Sequence, residues 1–386
     1  MVTDTASTTA AGGLDKIRVM IVDDSAVVRG LVTRLLESDP AMSIVASVGN
    51  GQMALAALEK QEIDVILLDI EMPIMDGMTA LPQLLKVDPA VRVIMQSTLT
   101  KKGADVSLRA MELGAADYIP KPTATKDLAG GGDFKDELLT KIKALGSARR
   151  RDPRQVARPV PPTVSPLSAR PAPMPRSSLL SPQGPITLRS HAPEVPDIIA
   201  IGSSTGGPQA LFNVLGKMRA GTVRQPILIT QHMPATFTTI LAEHITRVSG
   251  WDAREAQDGE TIQSGRVYVA PGDFHMVVES RGNDKIIRLN KNPPENFCRP
   301  AVDPMLRSIS AAYGKRVLVA ILTGMGSDGS KGGQVVVQGG GTVIAQDEAT
   351  SVVWGMPGAA ANAGICSAVL PLDDIAPWMM KLATRR

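Results

Sequence analysis

Between residues 16 and 145, short apolar runs alternate five times with stretches whose apolar residues recur every three to four positions. The runs cover 17–22, 43–48, 65–68, 92–95 and 117–119. Between the first two, Val27, Val28, Leu31, Val32, Leu35 and Leu36 repeat at helical spacing behind Ser25, which is placed as the N-cap. Continuous apolar strands separated by amphipathic helices predict a parallel sheet covered on both faces, a doubly wound α/β domain. Its loops at the strands' C-terminal ends are the expected site.

The same alternation returns over 197–386. Strands are expected at 198–201, 227–230, 317–322 and 342–345, and helices at 209–218, 236–248 and 303–313. A more β-like stretch spans 251–289, where Arg266-Val267-Tyr268-Val269 leads into the turn Pro271-Gly272-Asp273. This predicts a second doubly wound, mostly parallel α/β domain with an antiparallel excursion. Between the two, residues 146–196 hold 12 prolines and 8 arginines and no periodic pattern, so they read as a flexible linker. Residues 1–15 are rich in Thr, Ser, Ala and Gly, read as a loose tail, and lack a signal peptide's cationic start and apolar core.

At 386 residues the chain exceeds what one core usually fills. The two cysteines, Cys298 and Cys366, have no metal-type spacing, which argues against a disulfide scaffold and for a reducing, cytoplasmic location. No apolar stretch is long enough to span a bilayer, so no direct membrane insertion is expected. The net charge of +3 is unevenly spread. Residues 1–145 carry −5, the linker +6 and the remainder +2. The basic character belongs to the linker, whose arginines have no interleaved aromatics, so nucleic acid is not an expected partner.

Asp23-Asp24 ends the first apolar run, Asp69 the third, Ser97 lies at the end of the fourth and Lys121 follows the fifth. Phosphoryl transfer to a carboxylate needs the developing charge neutralised by a hard cation and a lysine, and this set offers a carboxylate cluster of the kind Mg2+ prefers together with Lys121. The segment resembles the response-regulator receiver domain over 16–145, a flavodoxin-like five-stranded parallel sheet. The resemblance implies Asp69 as phosphoacceptor, and a Mg2+ site formed by Asp23, Asp24, Asp69 and the Glu71 carbonyl. It also implies Ser97 as switch hydroxyl, Tyr118 as switch aromatic and Lys121 as phosphate partner. Gln96 is more polar than that pattern leads one to expect.

Gly202-Ser203-Ser204-Thr205-Gly206 follows another apolar strand in the G-x-S-x-G pattern of a nucleophilic serine. Ser204 alone has glycines at −2 and +2, with Ser203 as neighbouring competitor. Of four histidines, His191 falls in the linker and His244 within a helix, where a satisfied imidazole is expected. His232, just past a strand and before Met233-Pro234, is placed as the base, with His275 as alternative. Asp328, in the glycine-rich loop after strand 317–322, is the candidate acid.

These segments, with Cys298-Arg299-Pro300-Ala301-Val302-Asp303, resemble the catalytic domain of the bacterial chemotaxis protein-glutamate methylesterases from about residue 198 onward. The resemblance implies Ser204 as nucleophile, His232 as base, Asp328 as its orienter, the Met325 amide as oxyanion donor, and Thr205 and Arg299 in the cleft. It also implies hydrolysis of glutamate γ-methyl esters and deamidation of glutamines on chemoreceptor cytoplasmic helices, with no cofactor for the esterase step. A chemotaxis histidine kinase is the implied phosphodonor. A receiver-linked DNA-binding regulator is disfavoured by the +2 charge of the C-terminal part. A nucleotide loop is disfavoured because Gly202 to Gly207 is neither G-x-G-x-x-G nor followed by Lys-Ser/Thr.

Overall fold

The computed structural model describes residues 16–121, 132–151, 186–218 and 220–385. The tail 1–15 and most of the Pro/Arg-rich segment lie outside the described residues. In the N-terminal part, strands β1 (Ile17–Val22), β2 (Met42–Val48), β3 (Val65–Asp69), β4 (Arg92–Ser97) and β5 (Asp117–Pro120) pair in parallel in the order 2-1-3-4-5. Every residue of β3 is buried, because helices cover both faces. Each such aliphatic side chain contributes about 1.5–3 kcal/mol through burial. The helices are α1 (Ala26–Glu37), α2 (Gly51–Lys60), α3 (Gly77–Val87), α4 (Lys101–Glu112) and α5 (Gly132–Arg151). Ser25 caps α1 by accepting from the Val28 amide, as its sequence position predicts.

The helix α5 runs through Gly146 to Arg151, which corrects the expected start of the linker. Ion pairs from distant parts of the chain hold its end. Arg149 is buried, with Nε 3.2 Å from Asp64 Oδ1 and Nη2 2.9 Å from Asp88 Oδ2, and Arg150 also pairs with Asp64.

The second sheet is seven-stranded and parallel throughout, in the order β14-β13-β12-β6-β7-β9-β8. Its strands are β6 (Ile198–Ser203), β7 (Ile227–Gln231), β8 (Asp252–Glu255), β9 (Arg266–Val269), β12 (Val317–Ile321), β13 (Thr342–Gln346) and β14 (Cys366–Leu370). The antiparallel excursion is a separate hairpin, β10 (His275–Arg281) with β11 (Asp284–Asn290). The helices are α6 (Gly207–Lys217), α7 (Ala235–Ser249), α8 (Val302–Tyr313), α9 (Ser330–Gln338), α10 (Met356–Asn362) and α11 (Leu372–Ala383). Strand order reverses between β6 and β12, so a crevice opens at their C-terminal ends. Ser204 follows β6 there, and Asp328 follows β12.

Candidate functional site

Two sites lie at the C-terminal ends of the two sheets. In the first, Asp69 closes β3 and Asp23 follows β1, and both carboxylates are buried. Lys121 Nζ stands 2.7 Å from Asp69 Oδ2 and 3.1 Å from Asp23 Oδ2. Burial and the Asp23 charge outweigh Lys121 and hold the Asp69 carboxyl above the usual carboxylate range. Carboxylate oxygens of Asp23, Asp24 and Asp69 lie within 4.8 Å of one another. Hard oxygen donors this close fit a divalent cation such as Mg2+. Glu71 turns its side chain outward to Lys102 at 3.4 Å, so its carboxylate is not part of that cluster.

A cavity of about 130 Å3 lined by Asp69, Glu71, Ser97, Thr98 and Lys121 adjoins the cluster. Ser97 Oγ is hydrogen-bonded to Ser107 Oγ at 2.8 Å. Gln96 is fully buried with neither amide atom partnered, and nothing in the structure explains it.

The second site begins with the turn after β6. Gly206 has φ 75°, left-handed backbone that lets α6 start directly behind Ser204. The Ser204 amide donates to Thr323 O at 3.0 Å, which ties this turn to the loop after β12. Gly324 allows that approach, since a Cβ there would lie 2.9 Å from Ser204 Cβ. Ser203 is buried and donates to Gln231 Oε1 at 2.6 Å, so the neighbouring hydroxyl is committed elsewhere. Ser204 is partly exposed, and its Oγ makes no hydrogen bond among the described residues.

His232 follows β7 and is stitched to the serine turn by its amide, which donates to Ser203 O at 3.2 Å. Its Nε2 lies 2.8 Å from Asp328 Oδ2. The other ring nitrogen, Nδ1, faces Cys298 Sγ at 3.4 Å. Asp328 is buried, and its Oδ2 also accepts from the Val302 amide at 2.6 Å, while Oδ1 accepts from the Asp303 amide at 3.0 Å. These amides open α8, where an anion is favoured. Burial works against the Asp328 charge, but His232 and the amides prevail and lower its pKa. Burial likewise disfavours the imidazolium, yet the bonds to Asp328 and Cys298 prevail and raise His232 to about 10.

The alternative base, His275, has both nitrogens engaged with backbone, Nε2 with Pro293 O at 3.1 Å and Nδ1 with the Ala301 amide at 3.2 Å. Arg299 donates to the carbonyls of Lys291 and Asn292. Cys298, noted in the sequence for compartment and motif only, stands against the His232 ring, where sequence reasoning did not place it.

The serine turn is covered by the N-terminal domain. Thr205, next to Ser204, donates to Asp117 Oδ2 of β5 at 2.8 Å, and both side chains are buried. Lys141 of α5 steadies that carboxylate at 3.4 Å and donates to Tyr118 O at 2.7 Å. The Tyr118 ring stacks on Phe237 of α7 with centroids 4.1 Å apart and planes 13° apart. Met325 and Val352 pack against the same cluster as Phe134 and Leu138 of α5. Farther along, His244 is buried with Nε2 2.8 Å from Asp105 and Nδ1 3.1 Å from Glu112, both on α4. Arg247 reaches Glu112 at 3.0 Å, and Gln209 donates to the carbonyls of Met111 and Ala115.

The CheB methylesterase family matches residues 199–379 and the response regulator receiver domain family matches residues 19–130. The chain is 75% identical over 373 residues, 96% of its length and 97% of the relative's, to a protein-glutamate methylesterase/protein-glutamine glutaminase 1 from Paramagnetospirillum magneticum. It is 61% identical over 383 residues, 97% of its length and 96% of the relative's, to a protein-glutamate methylesterase/protein-glutamine glutaminase of group 2 operon from Rhodospirillum centenum. Among solved structures, the methylesterase catalytic domain of Thermotoga maritima CheB is 40% identical, with a TM-score of 0.47, covering 48% of this chain and 98% of that one. A receiver sheet carrying an aspartate-lysine cluster, joined to a sheet whose crevice gathers Ser204, His232 and Asp328, is matched along nearly its whole length, and the chain belongs to the protein-glutamate methylesterase/protein-glutamine glutaminase family.

Proposed function

We propose that this chain hydrolyses glutamate γ-methyl esters and deamidates glutamines on the cytoplasmic helices of chemoreceptors, and that its receiver domain holds the esterase cleft shut until Asp69 is phosphorylated. The observation that carries this reading is the direct hydrogen bond from Thr205 to Asp117, which joins the residue beside the nucleophile to the residue beside the switch tyrosine. The names of the relatives support the substrate chemistry. Among the described residues no helix is long and apolar enough to cross a membrane, so contact with the receptor membrane is assigned to the receptor.

In the reaction, Ser204 Oγ attacks the ester carbonyl carbon and its proton passes to His232. Asp328 occupies Nε2, so Nδ1, which faces Cys298 Sγ at 3.4 Å in this covered state, is the nitrogen assigned to take that proton once Ser204 Oγ turns to it. The Met325 amide, in the loop beside Ser204, is assigned to the oxyanion. Collapse of the tetrahedral adduct breaks the carbon–oxygen bond to methoxide, which leaves as methanol with the His232 proton. Water then attacks the acyl-Ser204 ester, again deprotonated by His232, and releases glutamate. A glutamine side chain follows the same course with ammonia as leaving group. The bonds to Asp328 and Cys298 raise the His232 imidazole, which favours its protonated form and stabilises the imidazolium that forms when it takes the Ser204 proton.

The input comes from a phosphohistidine kinase. The Asp69 carboxylate attacks phosphorus, the nitrogen–phosphorus bond breaks, and Lys121 pairs with the incoming oxygens. Asp23, Asp24, Asp69 and the Glu71 carbonyl are the groups that would hold a divalent cation, which would supply charge neutralisation for that transfer. Ser97 and Tyr118 then rearrange toward the phosphorylated Asp69, which withdraws Tyr118 from Phe237 and biases the domains toward separation.

Methanol release from methylated chemoreceptor membranes tests the reading. The wild-type chain should release methanol and Ser204→Ala should not. Equal release from both, or from neither, would overturn it.

A further inference from the structure

Between β11 and α8, two consecutive residues hold left-handed backbone, Asn296 at φ 52° and Phe297 at φ 64°. The Phe297 side chain stands fully in solvent. Asn296 instead turns its amide inward. Its Nδ2 donates to Asp328 Oδ1 at 2.9 Å and to Asp303 Oδ2 at 3.1 Å. One NH2 group therefore uses both hydrogens to bridge two carboxylates that are each 1% exposed. Asp303 is fixed from its other side, where Oδ1 accepts from the amides of Gly329 at 3.0 Å and Gly332 at 2.6 Å. Burial and the nearby Asp328 charge raise the Asp303 pKa, as expected of two acids brought together.

Residue type and backbone agree here. Asparagine tolerates left-handed φ better than other side chains of its size and offers two donors on a short arm. An aspartate would add a third acceptor. The remaining donors to Asp328 Oδ1 are backbone amides, those of Asp303 and Gly329. Among the described residues Asn296 is the only side chain bonded to that oxygen, so it is the one support that substitution removes without moving a helix.

We propose that Asn296 is a positioning residue of the esterase reaction, whose amide locks the Asp328 carboxylate against His232 by bridging it to Asp303. This rests on the Ser204, His232 and Asp328 assignment above. With the amide gone, Asp328 is held only by the backbone amides of Val302, Asp303 and Gly329, so its orientation against Nε2 is less firmly set, and its charge is shared by one donor fewer. The first effect lowers turnover. The second strengthens the pull on the His232 proton, so the acid limb of kcat/KM moves to higher pH.

Full-length Asn296→Gly, Phe297→Gly, Asn296→Asp and Ser204→Ala are compared by methanol release from methylated receptor membranes across pH. Glycine keeps the left-handed backbone, so Asn296→Gly removes the amide alone. It should lose about tenfold in kcat with KM unchanged, and its acid limb should rise by about half a unit. Phe297→Gly should match wild type. The isosteric Asn296→Asp has one O–H when protonated and none when ionised, so it can hold at most one of the two carboxylates and only in its protonated form, and its activity should fall as pH rises through that ionisation. A wild-type kcat and acid limb in Asn296→Gly would overturn the proposal, as would a change confined to KM or an equal loss in Phe297→Gly. If Asn296→Gly does not fold, a wild-type pH profile in Asn296→Asp overturns it. Turnover by Ser204→Ala would remove the triad assignment and this proposal with it, whereas an inactive Ser204→Ala beside a normal Asn296→Gly removes this proposal alone.

Discussion

Replacing Asp105 and Glu112 together by alanine should raise the activity of the unphosphorylated enzyme. Both residues belong to the receiver, so the catalytic sequence is untouched and any gain must come through the interface. The pair lies 2.8 and 3.1 Å from the two ring nitrogens of His244, and Glu112 also accepts from Arg247 at 3.0 Å. The two carboxylate side chains are 31% and 30% exposed, so solvent weakens these bonds. After that discount the set contributes about 2 kcal/mol to the closed state. Losing it shifts the closed-to-open ratio about 30-fold. Because Tyr118 stacking and the Thr205 hydrogen bond remain, the domains should still close, only less firmly. In an assay of initial methanol release without phosphodonor, basal turnover should therefore rise by up to about 30-fold. The phosphorylated ceiling should stay fixed, so the stimulation ratio shrinks by the same factor. An unchanged basal rate would refute the reasoning, since it would mean that the buried His244 cluster does not hold the cover in place.

Ser204→Ala should reduce turnover by at least ~10⁴-fold while Asp69 phosphorylation persists, and Ser203→Ala, which only frees Gln231, should lose far less; phosphoryl incorporation and methanol release measure the two. His232→Ala should be as severe as Ser204→Ala, whereas His275→Ala should act through stability, seen as a lowered Tm at retained kcat. Asp69→Asn should keep basal activity and lose all response to phosphodonor, because the amide is a poor nucleophile of the same shape. Asp328 and Cys298 raise the His232 imidazole to about 10, so kcat/KM, followed as initial methanol release across pH, should climb as pH rises above neutrality. Cys298→Ala removes one of the groups that raise the imidazole, so its acid limb should move to lower pH, and a limb that stays in place would show that the thiol does not act on His232.

The sheets were legible because their strands are buried on both faces, leaving unbroken apolar runs such as 65–68 and 317–322. The site residues were legible for a related reason: a parallel sheet puts chemistry at strand ends, and Asp69, Ser204, His232 and Asp328 each follow such a run. Residues whose roles depend on distant partners were not legible. The last turns of α5 read as linker because Arg149 and Arg150 look like solvated charges until Asp64 and Asp88 are placed beside them. Helix α9 was passed over because Ser330-Lys331-Gly332-Gly333 carries two glycines, yet a side chain at Gly332 would collide with Asp303. Cys298 and Asn296 belong to an irregular loop with no period to read, and their contacts with His232 and Asp328 arise only from the fold.

The central claim, that the receiver inhibits by covering the cleft, is tested most directly by cutting the chain within its Pro/Arg-rich segment, near Ser168. The connection between Arg151 and Ile186, about 34 residues long, keeps the receiver near the cleft at an effective concentration of order mM. Cutting it at nanomolar protein should let the domains part. Initial methanol release from methylated receptor membranes is then compared for intact and cut enzyme, each with and without phosphodonor. The account predicts that the cut, unphosphorylated enzyme is faster than the intact one and gains little further from phosphodonor. A cut enzyme no faster than the intact chain would contradict it, and would mean that phosphorylation activates through contacts made only in the phosphorylated state.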